Sequence, residues 1–226
     1  MSLVRQILLL YRKDLRVEVR KKESLIAMAF FGALIMVILN LAAGLGGRIE
    51  AEPAAGILWV AILFSSVLGL GRVFAREKEN GCVAALLVSP ISPGAIFAAK
   101  ALVNFTLMSL SELVLVPVFF ALFGTGLQPS PLILLVLLML VNIGFSAAGT
   151  LLSALAAGTR RNEVLLPILL YPLCLPLVAL AVKATGTAFT GRPVSAILDQ
   201  LEPMAAFGLI YAAVGYLLFA HAVREV

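Results

Sequence analysis

The chain has 226 residues, of which 62% are hydrophobic and only 13% charged, and its mean hydropathy is +1.09. A water-soluble domain carries about 45–50% apolar residues, so this composition excludes an ordinary soluble enzyme or binding module and puts most of the chain in lipid. The net charge of +5 calls for no nucleic-acid partner, because the lysines and arginines sit between apolar runs in the pattern that orients membrane proteins.

Residues 1–22 predict an amphipathic helix. Leu3, Val4, Ile7, Leu8, Tyr11 and Leu15 recur at three- and four-residue steps, and Arg5, Arg12, Arg16 and Arg20 fall on the opposite face. Such a helix lies in the membrane interface with its arginines near anionic headgroups. Two roles stand open for it: a topogenic anchor, or a lever along the cytoplasmic surface joined rigidly to the first span.

Six spans follow, at 24–45, 54–70, 102–123, 131–157, 164–182 and 204–223. A hydrocarbon core needs about 20 helical residues, and the short second span reaches that length by continuing through Arg72, whose side chain snorkels. Barrel strands would alternate apolar and polar residues, and these runs do not. The first span is too long for a cleaved signal peptide, whose apolar core has about 7–15 residues. The expected architecture is an all-α polytopic membrane protein: an interfacial amphipathic helix at 1–22 and a six-helix transmembrane domain at 23–226. Fourteen of the seventeen lysines and arginines fall on one side of these spans, leaving Arg48, Lys183 and Arg192 on the other. The excess of positive charge marks the cytoplasmic side and places both termini there. Cys82 in a cytoplasmic loop and Cys174 in the fifth span are read as separate thiols rather than a disulfide.

Residues 72–101 form the one sizeable cytoplasmic loop. Asn80 and Gly81 give a turn signal, and the seven apolar residues 82–88 are far too few to span. Ser92 followed by Pro93 is a helix start, predicting a helix from Pro93 through Lys100 into the third span. A short apolar helix on the cytoplasmic face needs a cover, either lipid and the protein's own helices or a groove on a soluble partner.

Glu112 is the sole carboxylate within a span. A charge at mid-helix costs about 2.5–3.5 kcal/mol on insertion scales, so this residue faces protein or water, or is neutral. It either lines a substrate path or switching contact, or hydrogen-bonds a neighbouring helix, for example at Asn142. Pro117 frees a backbone carbonyl on the same helix. Asn40 and Asn142 read as interhelical hydrogen-bonding residues. Pro167, Pro172 and Pro176 predict a kinked or segmented fifth span. Ala147, Gly149, Ser153 and Gly158 mark a close-packed face on the fourth, either internal or a homodimer seam. The link 183–203 holds a short helix dipping toward the bilayer or a plain loop. His221, the only histidine, is a poor haem ligand at the cytoplasmic rim. No nucleophile and base arrangement suggests catalysis, no cluster suggests a metal, and no phosphate-binding glycine loop is present.

The run Arg76-Glu77-Lys78-Glu79-Asn80-Gly81, with Leu86-Leu87-Val88-Ser89-Pro90-Ile91-Ser92-Pro93 after it, resembles the signature loop of ABC-2-type (type V) exporter membrane subunits. The chain departs from that pattern after the glycine, where Cys82, Val83 and Ala84 replace a threonine or aromatic residue and an acid. More narrowly, the chain resembles the CcmB family, haem exporter protein B of cytochrome c maturation. The carriers are Lys13-Asp14-Leu15-Arg16-Val17-Glu18, the Ser-Pro-x-Ser-Pro step, Lys100, and Glu112-Leu-Val-Leu-Val-Pro117.

That resemblance implies a permease subunit in the bacterial inner membrane. Its loop would dock on a separate CcmA-like ATP-binding subunit through Glu77, Glu79, Gly81, Cys82, Ala85, Leu86, Leu87, Ser89 and Pro90. Glu112 and Pro117 are its transport or switch residues. ATP belongs to the partner, and haem enters as a transported or handled ligand rather than a cofactor of this chain. CcmC-like and CcmD-like membrane proteins and a periplasmic CcmE-like haem chaperone complete the implied assembly. Two other classes stay open: an ATP-independent secondary carrier, and a structural assembly subunit.

Overall fold

The computed structural model describes residues 2–42, 49–79, 91–124, 126–128, 130–157 and 162–224, without the side chains of 71–79, 157, 162–164 and 220–224. These residues form seven α-helices: α1 (Leu3–Lys21), α2 (Glu23–Ala42), α3 (Ala51–Glu79), α4 (Pro93–Phe123), α5 (Pro131–Ala157), α6 (Asn162–Phe189) and α7 (Leu198–Arg224), with a 3-10 turn at Val194–Ile197. Helices α2 to α7 are each long and apolar enough to cross a membrane. The protein is an all-α, multi-pass membrane protein.

Helix α1 stops at Lys22, which adopts a left-handed conformation (φ 55°) and donates its N–H to the Glu18 carbonyl, and α2 begins at the next residue. The amphipathic helix and the first span are therefore two helices with a left-handed residue between them, not one rigid rod. Helix α1 packs chiefly on α4 and only lightly on α2. Its predicted apolar face divides accordingly. Ile7, Tyr11 and Leu15 are half-buried, whereas Leu3, Val4 and Leu8 stay exposed.

Helices α4 and α5 form the centre, α4 touching α1, α2, α3, α5 and α7. The Ser92 hydroxyl caps α4 by accepting from the Ala95 amide at 3.2 Å, with Pro93 at the first helical position, as the sequence predicts. The most extensive helix pair is α5 with α7. Gly144 and Gly208 face each other there: a Cβ on Gly208 would lie 3.5 Å from the Gly144 nitrogen. Small residues permit such close approach where lipid offers no hydrophobic drive between helices.

Three apolar clusters lie along the bundle. One gathers Met36, Trp59, Leu115, Phe119, Leu137, Leu177 and Phe189, with Phe119 stacked on Phe123 and Phe189 at 5.3 and 5.7 Å between ring centroids. The Trp59 indole donates to the Thr185 hydroxyl at 2.8 Å within it. The second joins Met28, Leu70, Leu107, Phe145 and Cys174, and the third Phe97, Leu151 and Phe219.

Several expectations change. The fifth span, α6, is one continuous helix that contains Pro167, Pro172 and Pro176, so it is not segmented. Its continuity accords with the tolerance of proline in membrane helices, where neighbouring groups re-satisfy the freed backbone. Helix α6 also runs to Phe189, past Gly186, where an added Cβ would lie 3.0 Å from the Glu52 Cα. Of the link 183–203 only 190–193 and the 3-10 turn stand outside α-helix. Gln128 donates its N–H to the Phe189 carbonyl at 2.8 Å, tying the α4 to α5 turn to this corner. The small-residue face of α5 is internal at Ala147, Ser153 and Gly149, the last packed under Leu70 of α3; Gly158 lies outside the described residues.

Candidate functional site

The expected docking loop is helical at both ends, since α3 continues to Glu79 and α4 starts at Pro93. Glu77 and Glu79 therefore sit in the last turn of α3. Gly81, Cys82, Ala85, Leu86, Leu87, Ser89 and Pro90 lie outside the described residues. The described edge of the loop, however, is fastened to α1. Gln6 accepts from the Ser92 amide through its side-chain oxygen at 3.2 Å. The Lys100 ammonium donates to Asp14 Oδ2 at 2.7 Å, with the two side chains 4% and 12% exposed. Tyr11 and Thr106 hydroxyls share a hydrogen bond at 3.0 Å. Lys13 approaches the other oxygen of Asp14 at 3.2 Å from the surface side.

This clasp follows from the wheel of α1. Tyr11, Asp14 and Glu18 fall on the side away from the arginines at three- and four-residue steps, and Gln6 lies at the edge of that face. An acid on that face must meet a cation or pay for its desolvation, and α4 supplies Lys100. In the sequence Asp14 and Lys100 stand out separately, with nothing in the linear pattern to pair them. The signal available was the carboxylate on the wrong side of a basic helix.

Further along α4, Asn104 donates to the Thr150 hydroxyl of α5 at 2.9 Å, a contact the sequence reading missed. Then comes Glu112, 4% exposed. Asn142 of α5 donates to its Oε2 at 2.8 Å and to the Ser109 hydroxyl at 3.2 Å, the interhelical bond anticipated above. Glu112 Oε1 and Asn142 Oδ1 are buried acceptors without a donor among the described residues. Asn40 fastens α2 to α4 through the Leu122 carbonyl at 3.4 Å. Helix α4 thus carries a column of buried polar groups, each gripping another helix.

Glu112 and Pro117 come together on the wall of one groove between α4 and α5. Its volume is about 670 Å³, and its lining is otherwise almost wholly apolar, including Phe105, Leu113, Leu135 and Met139. Leu113 and Leu135 are exposed, so the groove opens sideways out of the bundle. Helix α4 passes through Pro117 unbroken. Chemically, the groove can take an apolar body and offer it one carboxyl edge and two hydroxyls, those of Thr106 and Ser109. The side chain of His221 lies outside the described side chains.

Comparison with known proteins places this architecture. The family model described as CcmB protein matches residues 5–225. Relatives named Heme exporter protein B are similar throughout. That of Rhodobacter capsulatus is 30% identical over 214 residues, covering 94% of this chain and 95% of the relative. That of Escherichia coli K12 is 31% identical over 198 residues, 87% and 89% of the two chains. That of Pseudomonas aeruginosa is 27% identical over 201 residues, 89% and 90%. With the match running from the amphipathic helix through the last span, the chain belongs to the CcmB family.

Proposed function

We propose that this protein is the permease subunit of an ATP-driven complex of c-type cytochrome biogenesis, exporting haem or releasing a haem-loaded chaperone. In this reading it sits in the bacterial inner membrane with both termini in the cytoplasm. A CcmA-like subunit binds ATP and grips residues 82–88. CcmC-like and CcmD-like proteins handle haem beside it, and a CcmE-like chaperone receives it. The naming of the relatives as haem exporters supports the cargo. The observation that carries the coupling is the clasp of Gln6, Tyr11 and Asp14 on Ser92, Thr106 and Lys100, beside the docking loop.

A pull on the loop reaches Ser92 first. Because Ser92 caps α4 and its amide is held by Gln6, the start of α4 and α1 move as one body. Asn104 and Glu112 pass that motion to α5 through Thr150 and Asn142. Sliding of α4 against α5 changes the width of the groove between them, the kind of packed-helix shift by which transporters alternate access.

The test begins with affinity purification of the complex carrying Leu86→Glu and Leu87→Glu. The ATP-binding subunit is expected to be lost from the preparation, and its undiminished recovery would favour an ATP-independent carrier. Glu112→Gln keeps the hydrogen bond to Asn142. It should retain ATP turnover by the complex while lowering haem delivery to the chaperone, read from haem-stained cytochrome c. Normal delivery would remove Glu112 from the switch.

A further inference from the structure

We propose that the elbow between α1 and α2 is a binding site for an anionic phospholipid of the surrounding bilayer, its phosphate held at Lys21 and Lys22 and an acyl chain laid along α2. A hollow of about 480 Å³ lies at this elbow, lined by Lys21, Glu23, Ile26, Ala27 and Phe30. Ile26 and Phe30 are 62% and 68% exposed, and the same stripe continues through Leu34, Val37 and Leu41, the last 74% exposed. These residues recur at three- and four-residue steps, so they form one apolar track running down a membrane-crossing helix from the hollow.

At the head of the track, Arg20, Lys21 and Lys22 are all exposed. The lining of the hollow holds one cation, Lys21, and one carboxylate, Glu23; Arg20 and Lys22 flank Lys21 in the chain and bring the exposed cations of the elbow to three. A soluble anion would use only the cationic end, and a partner helix only the apolar stripe. A lipid with a net negative headgroup uses both.

Lys22 adds a second observation. Among the described residues it alone, apart from glycines, takes a positive φ, 55°. That position at a helix C-terminus ordinarily falls to glycine or asparagine. A lysine is held there at a conformational cost, and backbone strain of this kind concentrates at ligand-holding sites. The other side of α1 is clasped to α4, which fixes the elbow rather than letting it wander.

The site does not depend on haem or on ATP coupling. It is tested by native mass spectrometry of the full chain released from micelles holding phosphatidylglycerol and phosphatidylcholine at equal mole fraction. The parent protein should retain phosphatidylglycerol preferentially. Each basic residue near an anionic headgroup contributes about five-fold in affinity, so Lys21→Gln with Lys22→Gly should lower the preference at least about ten-fold. Glycine suits the left-handed position, so this variant keeps the fold. The control is Arg5→Gln with Arg12→Gln, which removes two charges from α1 about 13 Å or more from the elbow and should keep the preference. No preference in the parent, an unchanged preference in the elbow variant, or an equal loss in the control would each overturn the site.

Discussion

Asn142 is the residue on which the buried carboxylate of Glu112 depends. Its amide supplies the one donor that Glu112 has among the described residues. Asn142→Leu removes that donor and leaves a buried acceptor bare, which costs about 1–3 kcal/mol. For a chain of this size each kcal/mol lowers the melting midpoint by about 2–4 °C, a fall measurable by thermal unfolding in detergent. Adding Glu112→Leu should recover part of the loss, because removing both partners leaves nothing unsatisfied. This pair was legible in the sequence, since Glu112 is the sole carboxylate within a span and Asn142 stands thirty residues on, near the middle of the next one. The partnership of Asn104 with Thr150 was not legible. Asparagine and threonine are common enough in membrane helices that nothing in the linear pattern links these two.

Among elements, the docking of α1 is the clearest departure from what periodicity alone suggests. Hydrophobic spacing gave an amphipathic helix but not the helix it would lie against, because an apolar stripe fits lipid as well as protein. The polar side chains decide it. A double-mutant cycle on Asp14→Asn and Lys100→Met should give a coupling of about 0.5–3 kcal/mol, read from thermal stability, and no coupling would mean that the ion pair does not hold the clasp. The α5 to α7 contact rests on a different principle, backbone proximity at Gly144 and Gly208. Gly208→Leu forces side-chain volume between two helices already touching, and overpacking of this kind costs about 1–3 kcal/mol; the midpoint of thermal unfolding should fall accordingly. The same logic explains why α6 outruns the span expected at 164–182: Gly186, inside the expected link, serves close packing against Glu52 in an unbroken helix.

At the scale of the whole molecule, the six membrane-crossing helices were legible because run length and apolarity reflect the solvent directly. The expected orientation rests on the lysine and arginine bias alone, which biosynthesis reads rather than packing. Native Cys82 offers a direct check. A membrane-impermeant maleimide should leave it unlabelled in intact cells and modify it in inverted vesicles, while Cys174, fully buried, stays unlabelled in both. Labelling of Cys82 in intact cells would reverse the topology.

The join between α1 and α4 also bears on how the protein is made. Residues 6, 11 and 14 leave the ribosome first, yet Ser92, Lys100 and Thr106 do not exist until two further membrane-crossing helices have been synthesised. The leading helix therefore waits at the membrane surface before its mate arrives. Its exposed arginines suit that interval, holding it at the lipid surface until α4 is inserted and the nascent bundle closes over it.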